Sequence, residues 1–291
     1  MNKQELQAII TLLEDPDVEI FDAIYRSLME KGVDVVPDLE KAWETSGNAS
    51  IQDKIENIIQ KIQLNFVHKL MSNWINDGAT DLLDGAYIVA KYQYPDLGLY
   101  EIQNPIERIK HDVWLEINEN LTALEKVRVL NRIIYDHHKF TANTTNYYSP
   151  QNSYINQVIL SKKGNPISLG ILYAAIAQKL GLPIFGVNLP KNFVLAYKDE
   201  FNEIINPESK SENILFYINP FNKGAVLGRK EIDFFLKQQN ITPDEMFYQP
   251  CSNVEIIQRL LLNLIYSYEK LGYEPKIKEL QALLKISKVT R

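Results

Sequence analysis

Apolar positions in the first third of the chain recur with helical period. Leu6, Ile9, Ile10 and Leu13 fall on one face, and Val18, Phe21, Ile24, Tyr25 and Leu28 on another. Asp15-Pro16-Asp17 separates the two stretches and supplies a helix start. Gly32, Pro37 and Gly47 punctuate the next segment, and further helices are expected around Ile51 to Trp74, Thr80 to Tyr92 and Pro105 to Ile117. Another helix, around Glu125 to His138, leads into a polar, aromatic-rich connection from Thr141 to Ser149. Pro150-Gln151-Asn152-Ser153-Tyr154 then opens a short helix ending near Lys163-Gly164.

The period changes in the middle of the chain. Asn165 can cap a helix, Pro166 suits its first position, and Gly181 can close its far end. The body between them, Ile167 to Leu180, is apolar nearly all round, so it predicts a buried central helix. Three short apolar runs come next, Ile184 to Val187, Phe193 to Tyr197 and Ile214 to Ile218, whose branched and aromatic residues predict strands. The polar stretch Lys198 to Asn213 reads as a hairpin loop joining the last two. Helical period then returns, with a short helix at Ile232 to Leu236 and a capped start at Thr242-Pro243-Asp244-Glu245. Ile256, Ile257, Leu260, Leu261, Leu264, Ile265 and Tyr268 form an amphipathic stripe. A last helix carries Ile277, Leu280, Leu283 and Leu284. The expectation is a mostly helical α+β chain: a helical region over 1–118, a buried helix on a small antiparallel sheet over 119–248, and a helical hairpin over 249–291.

Composition narrows the function classes. Hydrophobic residues make up 45% and charged residues 23% of the 291, as in folded soluble domains. The formal net charge is -6, with no compensating basic stretch, so no electrostatic footprint for nucleic acid or an anionic membrane is present. The single cysteine, Cys251, excludes an internal disulfide and fits a reducing compartment. The opening, Met1 to Glu14, reads as an acidic amphipathic helix and not as a secretory leader. The most apolar run, Ile167 to Ala177, is far short of the roughly 20 residues a membrane span needs. A cytoplasmic protein is expected.

Several words in the middle of the chain, in order, carry a family resemblance. They are Asn152-Ser153-Tyr154-Ile155-Asn156-Gln157-Val158-Ile159, Gly164-Asn165-Pro166-Ile167-Ser168-Leu169, Leu180-Gly181-Leu182-Pro183, Leu189-Pro190-Lys191-Asn192-Phe193 and Ile218-Asn219-Pro220-Phe221-Asn222. With the trailing Asn253 to Leu261, they are similar to the SirB-type branch of the transglutaminase-like superfamily. The stretch Leu12 to Val18 with Gly32 and Val35-Val36-Pro37-Asp38-Leu39 resembles a HEAT-type repeat, and the last two helices resemble a tetratricopeptide hairpin.

The superfamily implies a papain-like triad: cysteine at the start of the core helix, then histidine and aspartate on successive strands. Carried onto this chain, the nucleophile position falls in Pro166-Ile167-Ser168, with Ser168 its best occupant. Asn192 stands where the base is expected and Asn219 where the orienting acid is expected. An amide cannot accept a proton near neutral pH, and a serine without a base is a poor nucleophile. The resemblance therefore implies a pseudoenzyme without a cofactor that binds a protein or peptide partner. Two alternatives are a hydrolase or amidase that uses Ser168, and an indirect regulator of gene expression.

Each remaining candidate has a plain structural reading beside the functional one. Ser168 in a first helical turn ordinarily satisfies backbone donors. His137 and His138, beside Asp136, suit a helix end; neighbours on an α-helix point about 100° apart and do not share a face, so no metal site is expected. Cys251, after Pro250 and before a helix, reads as a small semi-buried residue. Tyr147, Tyr148 and Tyr154, with Asn143, Asn146, Asn152 and Asn156, form a polar-aromatic segment preceding the core helix. Asn152, Tyr154, Asn156 and Tyr148 are its ligand-binding candidates, and packing of a long connection is the alternative.

Overall fold

The computed structural model describes residues 8, 11–13, 15, 17–199 and 213–289. The expected positions Leu6, Ile9, Ile10 and Pro16, and nearly all of the hairpin loop after Lys198, lie outside the described residues. The chain divides into two compact units, Met1–Ser72 and Asn73–Arg291.

In the first unit α1 (Val18–Lys31) starts on Asp17, whose carboxylate accepts the Glu19 N–H at 2.8 Å. A 3₁₀ turn (Gly32–Val35) hands the chain to α2 (Val36–Thr45), and α3 (Ala49–Asn76) comes after it. Leu28, Val35, Leu39, Ala42, Ile55 and Ile58 meet in one buried cluster, which the helical period in the sequence anticipates.

The second unit carries the core. α4 (Leu82–Gln93) is capped by Asp81, which accepts the Leu83 N–H at 2.7 Å. α5 (Leu99–Trp114) begins earlier than Pro105, where the sequence places its start. Glu101 reaches back to the Gly98 N–H at 2.7 Å and fixes the beginning there, leaving Pro105 inside the helix. α6 (Ala123–Asn131) opens with a Thr122/Glu125 capping box and passes into a π-turn, Arg132–His137. A two-residue parallel ladder joins β1 (Thr141–Ala142) and β2 (Lys163–Gly164), with α7 (Ile155–Ser161) between them.

The central helix α8 (Pro166–Lys179) is buried continuously from Pro166 to Ala177, as its uniform apolarity requires. It packs on an antiparallel sheet ordered β3 (Ile184–Val187), β4 (Val194–Lys198), β5 (Ile214–Asn219), β6 (Ala225–Leu227). β6 is absent from the sequence reading because three residues are too few to show a period. It forms when Lys223 and Gly224, at φ 48 and 70, turn the chain back on β5.

α9 (Arg229–Gln238) contains the expected short helix. The helix expected to start at Thr242 stops as a 3₁₀ turn, Glu245–Phe247, capped by Asp244. The stripe belongs instead to α10 (Asn253–Leu271), capped by Ser252 and Glu255. Gly272, at φ 72, turns the chain into α11 (Glu274–Val289), giving the expected helical hairpin. No helix among the described residues is long and apolar enough to cross a membrane.

Candidate functional site at the amino end of the core helix

Three local devices fix Ser168, Asn192 and Asn219. The first is the cap of α8. Asn165 Oδ1 accepts the Ser168 N–H at 2.9 Å, and Ser168 Oγ accepts the Asn165 N–H at 3.0 Å. The Ser168 hydroxyl then donates to the Asn165 carbonyl at 3.3 Å, and the Asn165 amide donates to Ser153 Oγ at 2.8 Å. Ser168 is 1% exposed. A side chain at Gly164 would place its Cβ 2.6 Å from that hydroxyl, so β2 can lie against the helix start only as glycine. The donor hydrogen and one acceptor site of the hydroxyl are thus engaged with the backbone of one residue.

The second and third devices sit at one end of the sheet. Leu195 pairs with Ile218, so Asn192, just before β4, and Asn219, at the close of β5, lie at the same end of that ladder. Asn192 Oδ1 accepts the Phe193 N–H at 2.8 Å. Asn219 Oδ1 accepts the N–H groups of Phe221 and Asn222 at 3.1 and 3.2 Å, capping the turn Pro220–Asn222. The helix approaches this end through Gly170. A Cβ there would meet the Phe193 ring at 2.5 Å and Pro220 at 3.5 Å. Each of Ser168, Asn192 and Asn219 thus uses its side chain to hold nearby backbone.

The ligand-binding candidates separate. Asn152, 3% exposed, pins the preceding connection: its amide donates to the Asn146 and Tyr147 carbonyls at 2.7 and 3.0 Å, and Asn143 donates to its oxygen at 2.7 Å. Tyr154 is fully buried, with its hydroxyl 3.0 Å from that of Tyr268 and its ring edge-on to Tyr94. Burial and the neighbouring phenols push its ionisation far above the ordinary tyrosine range. Asn156 is half-buried, and its Oδ1 has no hydrogen-bond partner among the described residues. Tyr148 is 54% exposed.

Tyr148 belongs to a run of aromatic rings. It meets Tyr147 at 5.2 Å and Tyr266 at 5.8 Å between centroids, and Tyr147 meets Phe221 at 6.0 Å. All three contacts are edge-on, the favoured aromatic geometry. Phe221 lies on the turn that Asn219 caps, so this aromatic ledge begins beside Asn219. Lys270 stands over the Tyr266 ring at 5.2 Å. The Tyr147 phenol is pushed up by burial and by Tyr148, with Arg259 opposing. Tyr266 is missing from the sequence candidates, although one signal for it exists: an aromatic standing off the apolar stripe of α10.

Cys251 lies in surroundings that hold it as the neutral thiol. Its thiol lies 3.2 Å from the Gly186 carbonyl, and burial pushes it from the ordinary 9.0 up to about 12. Alkylation of the native chain by iodoacetamide at pH 8 is expected to run at least about a hundredfold slower than after unfolding, because the thiolate is the reacting species. Equal rates with and without denaturant would contradict that environment.

The Transglutaminase-like superfamily profile matches residues 100–262, more than half of the chain. A UPF0162 protein of Xylella fastidiosa is 28% identical over 200 residues, covering 65% of this chain and 66% of that protein. The UPF0162 protein YchA of Escherichia coli K12 is 27% identical over 211 residues, 71% of this chain and 74% of its own length. F-box only protein 21 of Homo sapiens is 28% identical over 216 residues, 65% of this chain but 32% of that longer protein. No solved structure matches. The matched segment holds the capped core helix and its four-stranded sheet, and this chain belongs to the transglutaminase-like superfamily.

Proposed function

We propose that this chain is a non-catalytic, SirB-type member of the superfamily that binds a protein or peptide partner in the cytoplasm through the aromatic ledge. The observation that carries the reading is the state of Ser168: buried, with its hydroxyl bonded to the backbone of Asn165 on both sides. A nucleophile needs a base within hydrogen-bond reach, and the groups at the other two triad positions are amides engaged with backbone N–H groups. His138 is committed to Asp112, and His111 stacks on Trp114. Tyrosines are rigid and amphipathic, and interfaces concentrate them. Tyr147, Tyr148 and Tyr266, each more than 40% exposed, give the ledge that character.

In this reading the HEAT-like helices of 1–118 and the tetratricopeptide-like hairpin of 249–291 offer binding surface of their own beside that of the core, 119–248, and any influence on gene expression runs through the bound partner. Two measurements test it. A fluorophosphonate probe is expected to leave Ser168 unlabelled, and the double variant Tyr148→Ala, Tyr266→Ala is expected to weaken binding to hits from a peptide library at least about tenfold. Probe labelling that Ser168→Ala abolishes would establish the hydrolase alternative. Undiminished peptide binding by the double variant would move the contact surface elsewhere.

A further inference from the structure

We propose that Asp112, His137 and His138 form a binding site for a zinc-class divalent cation. The site is independent of the ledge and of the state of the triad. Asp112 Oδ2 lies 2.7 Å from His138 Nε2 and 4.0 Å from His137 Nε2. One ligand atom from each of the three residues falls within a span of 4.8 Å. Nitrogen and oxygen ligands about 2.0–2.2 Å from a tetrahedral ion stand about 3.3 Å apart, so the two observed separations bracket the required one. His137 is 67% exposed and Asp112 29%, so these two donors reach solvent and can adjust toward the more covered His138, 13% exposed.

The backbone explains how two adjacent histidines come to serve one carboxylate. On an α-helix they diverge, but Arg132–His137 is a π-turn, whose extra residue per loop narrows the angle between neighbours. The turn closes with the His138 N–H bonding to the Ile133 carbonyl at 2.9 Å, and Lys139, at φ 62, leads the chain away. The two rings stand edge-on at 4.9 Å between centroids. Their carboxylate partner is Asp112 of α5, not the adjacent Asp136.

The local field favours a cation from two directions. Asp112 occupies the last turn of α5, which ends at Trp114, where the helix dipole already disfavours a negative charge. The histidines close the other helical segment, so two carbonyl-bearing ends and one carboxylate share this place. The opposing group is Lys162, which repels positive charge at His138; its ammonium is held over the Phe140 ring at 4.4 Å. Two imidazoles and one carboxylate select zinc and its transition-metal neighbours over magnesium or calcium, and three protein ligands leave a position for water.

Calorimetric titration of the full chain with Zn²⁺ at pH 7.5 tests the proposal. One ion is expected to bind with a Kd on the order of 1 μM. His137→Ala, at an exposed position, and the near-isosteric Asp112→Asn are each expected to weaken binding at least about tenfold, whereas His111→Ala leaves it unchanged. The imidazole resonances of His137 and His138 should shift on titration while that of His111 does not. Wild-type binding weaker than about 100 μM, or an unaltered isotherm in His137→Ala, overturns the site.

Discussion

Phe193→Ala is expected to destabilise the protein by about 3–5 kcal/mol, the usual cost of emptying a fully packed aromatic site. Phe193 is 1% exposed and lies where the core helix meets the sheet, against Gly170 of α8 and Gly186 of β3. The absence of a side chain at Gly170 lets that ring sit on the helix. Gly170→Ala alone therefore forces a methyl to within 2.5 Å of two ring carbons and is expected to cost about 1–3 kcal/mol by overpacking. In the double variant the methyl enters the space left by the ring, so the combined loss should fall short of the sum by about 1 kcal/mol or more. Urea unfolding of the four proteins measures this coupling. Additivity to within about 0.5 kcal/mol would mean that the ring and the glycine are not in contact.

The second large effect concerns the start of the core helix. Asn165→Ala removes the oxygen that accepts the Ser168 N–H, and helix caps of this kind contribute about 1 kcal/mol. It also removes the donor to Ser153, a hydroxyl 1% exposed, and stranding a buried polar group costs about 1–3 kcal/mol more. A total loss of about 2–4 kcal/mol is expected. Asn165→Asp keeps the capping oxygen and lets the Ser153 hydroxyl rotate to donate, so it should lose less than half as much. Chemical denaturation compares the three proteins, and a loss under about 0.5 kcal/mol in the alanine variant would rule out a structural role for this cap.

Much of the architecture is readable from local signals. The cap at Asn165, the proline after it and the uniformly apolar Ile167 to Leu180 specify a buried helix without reference to the rest of the chain. The same holds for the strands at Ile184 and Ile214 and for the stripe from Ile256 to Tyr268, because side-chain period is a property of neighbouring residues. The start of α5 escapes this kind of reading. Pro105 is the stronger local signal for a first turn, and the Gly98/Glu101 cap that overrides it becomes visible only in the folded backbone.

Site chemistry divides in the same way. The residue types at Ser168, Asn192 and Asn219 are legible from the order of words in the sequence, and none of the three is a group that takes up a proton near neutral pH. The company those residues keep is not. Tyr148 and Tyr154, six residues apart, share one aromatic segment, yet one faces solvent and the other lies in the core against Tyr268. Asp112 joins His137 and His138 across two helices, with no mark in the sequence between them. Most helices, the three longer strands and the residue types at their turns were already determined by the order of amino acids, since these depend on local period and backbone preference. Tertiary structure alone decided which distant side chains meet, since contact across elements depends on how their faces pack.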